Sequence, residues 1–160
     1  MSELTGAVSA VEARLQELGH TLPGVAAPVA AYVPAVVSGS HVFTSGQLPF
    51  VDGALPATGK VGASVSPEQA KELAALCAIN ALAAIKDRIG DLDRITRIVK
   101  VTGFVSSDPS FTGQPAVING ASELLGNVFG EAGAHARSAV GVAVLPLDAP
   151  VEVEVTAEFV

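Results

Sequence analysis

Apolar residues recur along this chain in two periods, and the switches between them outline the fold. Leu4, Val8, Val11, Leu15 and Leu18 fall at spacings of four and three, which predicts an amphipathic helix over residues 1–20 with Gly19 placed to end it. Residues 22–34 hold three prolines and no charge, so they read as an extended connector with Tyr32 as its one polar-tipped residue. Short strands at 33–37 and 41–45, joined through Ser38-Gly39-Ser40, then predict a hairpin. The stretch from Leu48 to Gly62, with three glycines and two prolines, reads as loop. Ser66-Pro67-Glu68-Gln69 is a capping box with proline at the first helical position. The helix it opens runs to about Gly90 on an apolar face of Ala70, Leu73, Ala74, Cys77, Ala81, Ala84 and Ile85. A strand rich in β-branched residues follows over 95–105, then a third helix over 115–129 broken by Gly130 and Gly133. Two last strands, 135–145 and 151–160, flank Pro146-Leu147-Asp148-Ala149-Pro150 and are expected to pair with each other. Strands and helices in this order predict an α+β fold, a single sheet with two helices packed on one face.

Composition adds a partner to this picture. At 160 residues the chain is one domain in size, 49% hydrophobic but only 16% charged, against about 25% charged in an average soluble protein. Such a surface is expected to need covering by another chain. No apolar run reaches the length of a membrane span. Nine basic against sixteen acidic residues, a net charge of −7, disfavour nucleic acid as a partner. The N-terminus shows no basic region followed by an apolar core, so a cytoplasmic location is the expectation.

Few residues carry candidate chemistry. His20, His41 and His135 are scattered and Cys77 is the single cysteine, so no metal-ligand spacing exists and no metal site is expected. No Gly-x-Ser-x-Gly elbow and no phosphate-binding Gly-x-x-x-x-Gly-Lys loop is present. Cys77, on an apolar helix face with no cation beside it, reads as a buried thiol. Arg137 is the informative position. It enters the strand Ser138-Ala139-Val140-Gly141-Val142, where a guanidinium is costly without acceptors. Either it pairs with Glu152, Glu154 or Glu158 of its own chain, or it holds a substrate carboxylate bidentately. A tight hairpin would put Val144 opposite Glu152 and Arg137 opposite Phe159, leaving Arg137 and Glu152 roughly 23 Å apart. In that case a site containing both draws them from different chains. His135 reads as a surface or pocket histidine, and Asn119-Gly120 inside a helix points to close packing or a ligand.

The segments Thr44-Ser45-Gly46-Gln47-Leu48-Pro49, Asn80-Ala81-Leu82, Asp91-Leu92-Asp93, Phe129-Gly130-Glu131, Ala136-Arg137-Ser138 through Leu145-Pro146 and Val151-Glu152-Val153-Glu154 occur in an order that resembles the RidA family, also written YjgF. The resemblance covers residues 28–160 and leaves 1–27 as an N-terminal helical extension. It implies a chorismate-mutase-like fold, a homotrimer with sites in the clefts between subunits, no cofactor, and hydrolysis of reactive 2-imino acids to 2-keto acids and ammonia. By the same resemblance, Arg137 holds the substrate carboxylate and Glu152 places or activates water. Tyr32, Gly46 and Asn119 line the site. The family's best-studied branch carries a cysteine two residues after the arginine and then an acidic residue; here Ala139 and Gly141 stand there, which implies a subgroup with an altered pocket. Two other readings stay open: a trimer that binds carboxylic acids without turning them over, and an endoribonuclease or translation inhibitor.

Overall fold

The computed structural model describes residues 9–25 and 31–160. Its elements are α1 (Ala10–Glu17), β1 (Ala35–Ser38), β2 (His41–Thr44), α2 (Pro67–Ile89), β3 (Ile95–Ser106), α3 (Gln114–Phe129), β4 (Ala136–Val142) and β5 (Val151–Phe159). The capping box forms as read, with the Gln69 N–H donating to Ser66 Oγ at 3.1 Å, and Gly90 closes α2 with a φ of 90°. Among the described residues no helix is long and apolar enough to cross a membrane.

Only part of the first predicted helix can be compared, because Leu4 and Val8 lie outside the described residues. From Ser9 onward α1 is helical, and it stops before Gly19, which takes the left-handed conformation at φ 85°. Asp93, in the short 3₁₀ turn before β3, accepts from the N–H groups of Ala10 (2.8 Å) and Val11 (2.9 Å) and from the Ser9 hydroxyl (2.8 Å). A carboxylate at a helix start meets both unpaired donors and the favourable end of the dipole. The N–H groups of Val11 and Ala10 and the Ser9 hydroxyl, strongest first, hold the Asp93 carboxyl below its usual range. On its other side α1 buries Leu15 in the main core.

The sheet runs β1-β2-β5-β3-β4, and here the expected β4–β5 hairpin is wrong. β4 pairs with β3 in parallel, and β5 inserts antiparallel between β2 and β3. The reason is topological. Helix α3 connects β3 to β4 as a crossover, which returns the chain to the end where β3 began and so makes β4 parallel to it. Residues 143–150 then carry the chain past the end of β3, through Leu147 and Asp148 in left-handed conformations, so that β5 enters from the opposite direction.

This order fixes the two faces. Val151, Val153, Val155 and Ala157 of β5 are buried against the helices along with Val101 and Val105 of β3 and Val42 of β2. The alternate positions, Glu152, Glu154, Thr156 and Glu158, share the other face with Thr102, Phe104 and Phe43. Helices α2 and α3 pack on the first face, and no helix among the described residues packs on the second. Phe43, Val36 and Val140 are each more than two-fifths exposed there, which gives the apolar surplus of the composition a location.

Candidate active site

Arg137 opposes Val101 in the β3–β4 ladder, and Val101 opposes Val155. Its side chain therefore lies on the helix side of the sheet, while Glu152, Glu154 and Glu158 lie on the far side. No carboxylate of the described residues pairs with it. Its partners come from α3: Nη1 donates to Asn119 Oδ1 at 2.7 Å and to Ser122 Oγ at 3.2 Å. Asn119 and Ser122 are three residues apart, the spacing that puts two side chains on one helix face. Both N–H groups of Nη1 are thereby engaged. The remaining edge, Nε–H with Nη2, has no partner among the described residues, and that edge offers the two parallel N–H donors that grip a carboxylate.

The α3 face that presents Asn119 can approach because Gly120 has no side chain. A Cβ there would stand 1.9 Å from the Lys71 carbonyl oxygen of α2. Close packing is thus the reason for the Asn119-Gly120 pair. Gly103 plays the same part on β3, where a Cβ would meet Ile118 at 2.4 Å. His135, just before β4, joins the arginine's surroundings. Its Nδ1 sits 2.6 Å from the Gly133 carbonyl and its Nε2 sits 2.9 Å from Ser122 Oγ. Ser122 left no mark in the sequence beyond its spacing from Asn119, and its role was not legible there.

Glu152 occupies a different place. It opposes Phe104 in the ladder, so it lies two strands and about three residues from Arg137, roughly 14 Å between Cα atoms, and on the other face. Its neighbour is Gly46. Between Phe43, opposite Thr156, and Gln47, opposite Val153, the chain after β2 takes one more residue than β5 does, a bulge of the kind that redirects a strand end. A Cβ on Gly46 would stand 1.8 Å from Glu152 Oε1, so the absent side chain is what gives the carboxylate its room. Burial, and secondarily the charge of Glu154, push the Glu152 carboxyl above its usual range. Beside Gly46 opens a cavity of about 570 Å³, lined among others by Tyr32, Pro34, Leu48, Phe50 and Asn80. Tyr32 is 59% exposed at its edge.

The five residues singled out from the sequence thus separate within the chain: Arg137 stands with Asn119, Glu152 with Gly46, and Tyr32 on the cavity that Gly46 also lines. Cys77 is fully buried with its Sγ 3.8 Å from the Val151 carbonyl, and burial raises its pKa. It belongs to the core. Among the described residues no three histidine, cysteine or acidic side chains converge in a way that could hold a metal.

With this geometry in view, the comparisons with known proteins are specific. The family profile described as "YjgF/chorismate mutase-like, putative endoribonuclease" matches residues 12–159. The chain belongs to the YjgF/RidA family. Among its relatives is protein TCP17 of Trypanosoma cruzi, 48% identical over 150 residues that cover 93% of this chain and 94% of that one. Another is a 2-iminobutanoate/2-iminopropanoate deaminase of Salmonella typhimurium, 39% identical over 133 residues, 82% of this chain and 89% of the relative. The crystal structure of Atu1372 from Agrobacterium tumefaciens, a protein of unknown function, superposes with a TM-score of 0.89 at 49% identity, covering 94% of this chain and 93% of that one. The YjgF fold accounts for the single sheet with its helices on one face.

Proposed function

We propose that this protein is a deaminase that hydrolyses 2-imino acids to 2-keto acids and ammonia in clefts between the subunits of a homotrimer. The observation that carries the reading is the guanidinium of Arg137, which is tied at Nη1 and, among the described residues, meets no carboxylate and keeps a bidentate edge free. The name of the Salmonella relative supports the substrate class.

In this reading the carboxylate of the imino acid sits on the Nε and Nη2 edge, which fixes the position of the neighbouring C=N carbon. That carbon is already electrophilic, so placing one water against it supplies much of the catalysis. With the imine nitrogen protonated, Glu152 takes a proton from the water as its oxygen bonds to the carbon, and the C=N electron pair moves to nitrogen, giving a tetrahedral intermediate with a hydroxyl and an amine. The protonated Glu152 gives that proton to the amine, the C–N bond breaks and ammonia leaves, and the hydroxyl proton passes to Glu152 and on to the departing ammonia as the carbonyl forms. A carboxyl whose pKa is raised by burial holds a proton more readily, which suits both halves of that exchange. No cofactor takes part in this scheme. The cavity beside Gly46, with Tyr32 at its edge, receives the substrate side chain. Because Arg137 and Glu152 lie on opposite faces of one sheet, a second copy must bring its Glu152 to the Arg137 edge of the first. The uncovered sheet face, where Phe43 and Val140 are exposed, is where the copies meet.

The test is release of keto acid and ammonia from an imine generated in place by an amino-acid oxidase. Turnover above the buffer rate that Arg137→Ala abolishes supports the proposal. Rates equal to buffer, with keto acids still binding, would favour a carboxylate-binding trimer without catalysis. Cleavage of RNA in place of imine turnover would favour the endoribonuclease, which the net charge of −7 argues against.

A further inference from the structure

The Arg137 edge is held by more than the two groups it touches. His135 Nδ1 faces the Gly133 carbonyl at 2.6 Å, and a carbonyl can only accept, so Nδ1 carries the proton. In the neutral ring Nε2 is then an acceptor. Ser122 Oγ lies 2.9 Å from it and therefore donates its proton to the ring. With that proton engaged, the serine's lone pairs are turned toward Arg137, whose Nη1 donates to them at 3.2 Å. In the neutral ring, the direction of every bond from the Gly133 carbonyl through the ring and the hydroxyl to the guanidinium follows from the first.

We infer that His135 is a positioning residue: acting through Ser122, it orients the hydroxyl that, with Asn119, sets the rotation of the Arg137 guanidinium and so aims its free edge at the substrate carboxylate. The inference rests on the reading of Arg137 as the carboxylate ligand. A serine hydroxyl rotates freely when nothing accepts its proton. Without the ring acceptor, its hydrogen can turn into the space from which Nη1 donates, and the guanidinium loses one of its two fixed points. The local sequence serves the arrangement. Gly133 packs onto the end of α3 where a Cβ would meet the Leu125 carbonyl at 2.4 Å, and this places the Gly133 carbonyl two residues before the ring it orients.

The experiment measures the Kd for 2-oxobutanoate by calorimetry, and KM and kcat for the imine, across a set of variants of the full chain. Ser122→Ala and His135→Phe are each expected to raise Kd and KM about tenfold while kcat stays within about twofold, the loss of one hydrogen bond to a charged group in an anchoring role. The double variant is expected to be no worse than Ser122→Ala alone, because both changes remove one relay. His135→Gln, which keeps an acceptor near Nε2, is expected to return affinity to near wild type. Arg137→Ala serves as the control and is expected to abolish binding. If Arg137→Ala abolishes binding but His135→Phe leaves Kd unchanged, or if the two single effects add, the relay is wrong and the role of Arg137 stands. If Arg137→Ala itself leaves Kd unchanged, the reading of Arg137 fails first and the relay with it.

Discussion

Arg137 and Glu152 are carried by the same sheet and held in opposite ways. Arg137 is fixed by partners that are present: Asn119 and Ser122 on α3, with His135 behind them. Glu152 is fixed by what is missing. It sits where Gly46 has no side chain, beside another acid and partly out of water, and its charged form is disfavoured. The first region is a satisfied cation with one edge to spare, and the second an acid kept readier to hold a proton than an exposed carboxylate. In the proposed function, anchoring needs the first kind of environment and proton transfer the second. A single small sheet gives each its own face, and on that proposal neither group of residues is a complete site within one chain.

The largest effect is expected at the anchor. Arg137→Ala should lower kcat/KM for the imine by about 100-fold or more, and Arg137→Lys should recover only part of it, since an ammonium cannot supply two parallel donors. Both are read by steady-state kinetics, and a fully active lysine variant would show that only charge matters at that edge.

Glu152→Gln should lower kcat by about 100-fold or more, in the range of a lost general base, with keto-acid affinity retained. Stability should move the other way. A carboxyl whose folded pKa is raised contributes stability that is fully present below its unfolded value and lost as pH rises through its folded value. At neutral pH the charged Glu152 is therefore a liability, and the glutamine variant should melt higher than wild type, the gap closing on acidification toward ordinary carboxylate values. Activity should fall across the same window as the base is protonated. A glutamine variant that melts lower at neutral pH would overturn the account of Glu152 as a destabilised acid.

Gly46→Ala should separate the two regions. The clash is with the far end of a flexible side chain, so the protein folds, but the carboxylate must move. A fall in kcat of about tenfold with unchanged affinity for 2-oxobutanoate is expected. The smallest effect belongs to Asp93→Ala, away from both regions. It should cost about 1 kcal/mol or less in chemical denaturation through the lost anchor of α1, and leave kinetics unchanged. The Asp93 contribution is present above the ordinary aspartate pKa and is lost as pH falls through the depressed folded value.

Much of this was written locally in the chain. Ser66-Pro67-Glu68-Gln69 states its own helix start, and Arg137 announces itself by standing in an apolar strand that cannot leave a guanidinium bare. The alternation of Val and Glu in 151–158 names two faces. Which strand lies beside which is not local. The turn around Pro146 and Pro150 looks like a hairpin until the α3 crossover has placed β4, and the structure replaces the expected 23 Å along a hairpin with opposite faces of one sheet. Ser122 was illegible for a similar reason, since a serine on a helix becomes part of a site only through what the fold sets across from it. His135 was visible as a histidine, but its bond to Gly133 depends on the turn that α3 makes at its end.

The most direct measurement combines two inactive variants. Arg137→Ala and Glu152→Gln subunits, each inactive alone, are unfolded, mixed in equal amounts and refolded together, and imine hydrolysis is assayed. If each site takes Arg137 from one copy and Glu152 from another, random assembly rebuilds about one quarter of the sites intact, and roughly that share of wild-type activity returns. If one chain supplies both residues to its own site, every site keeps a defect, and the mixture stays as inactive as its parts.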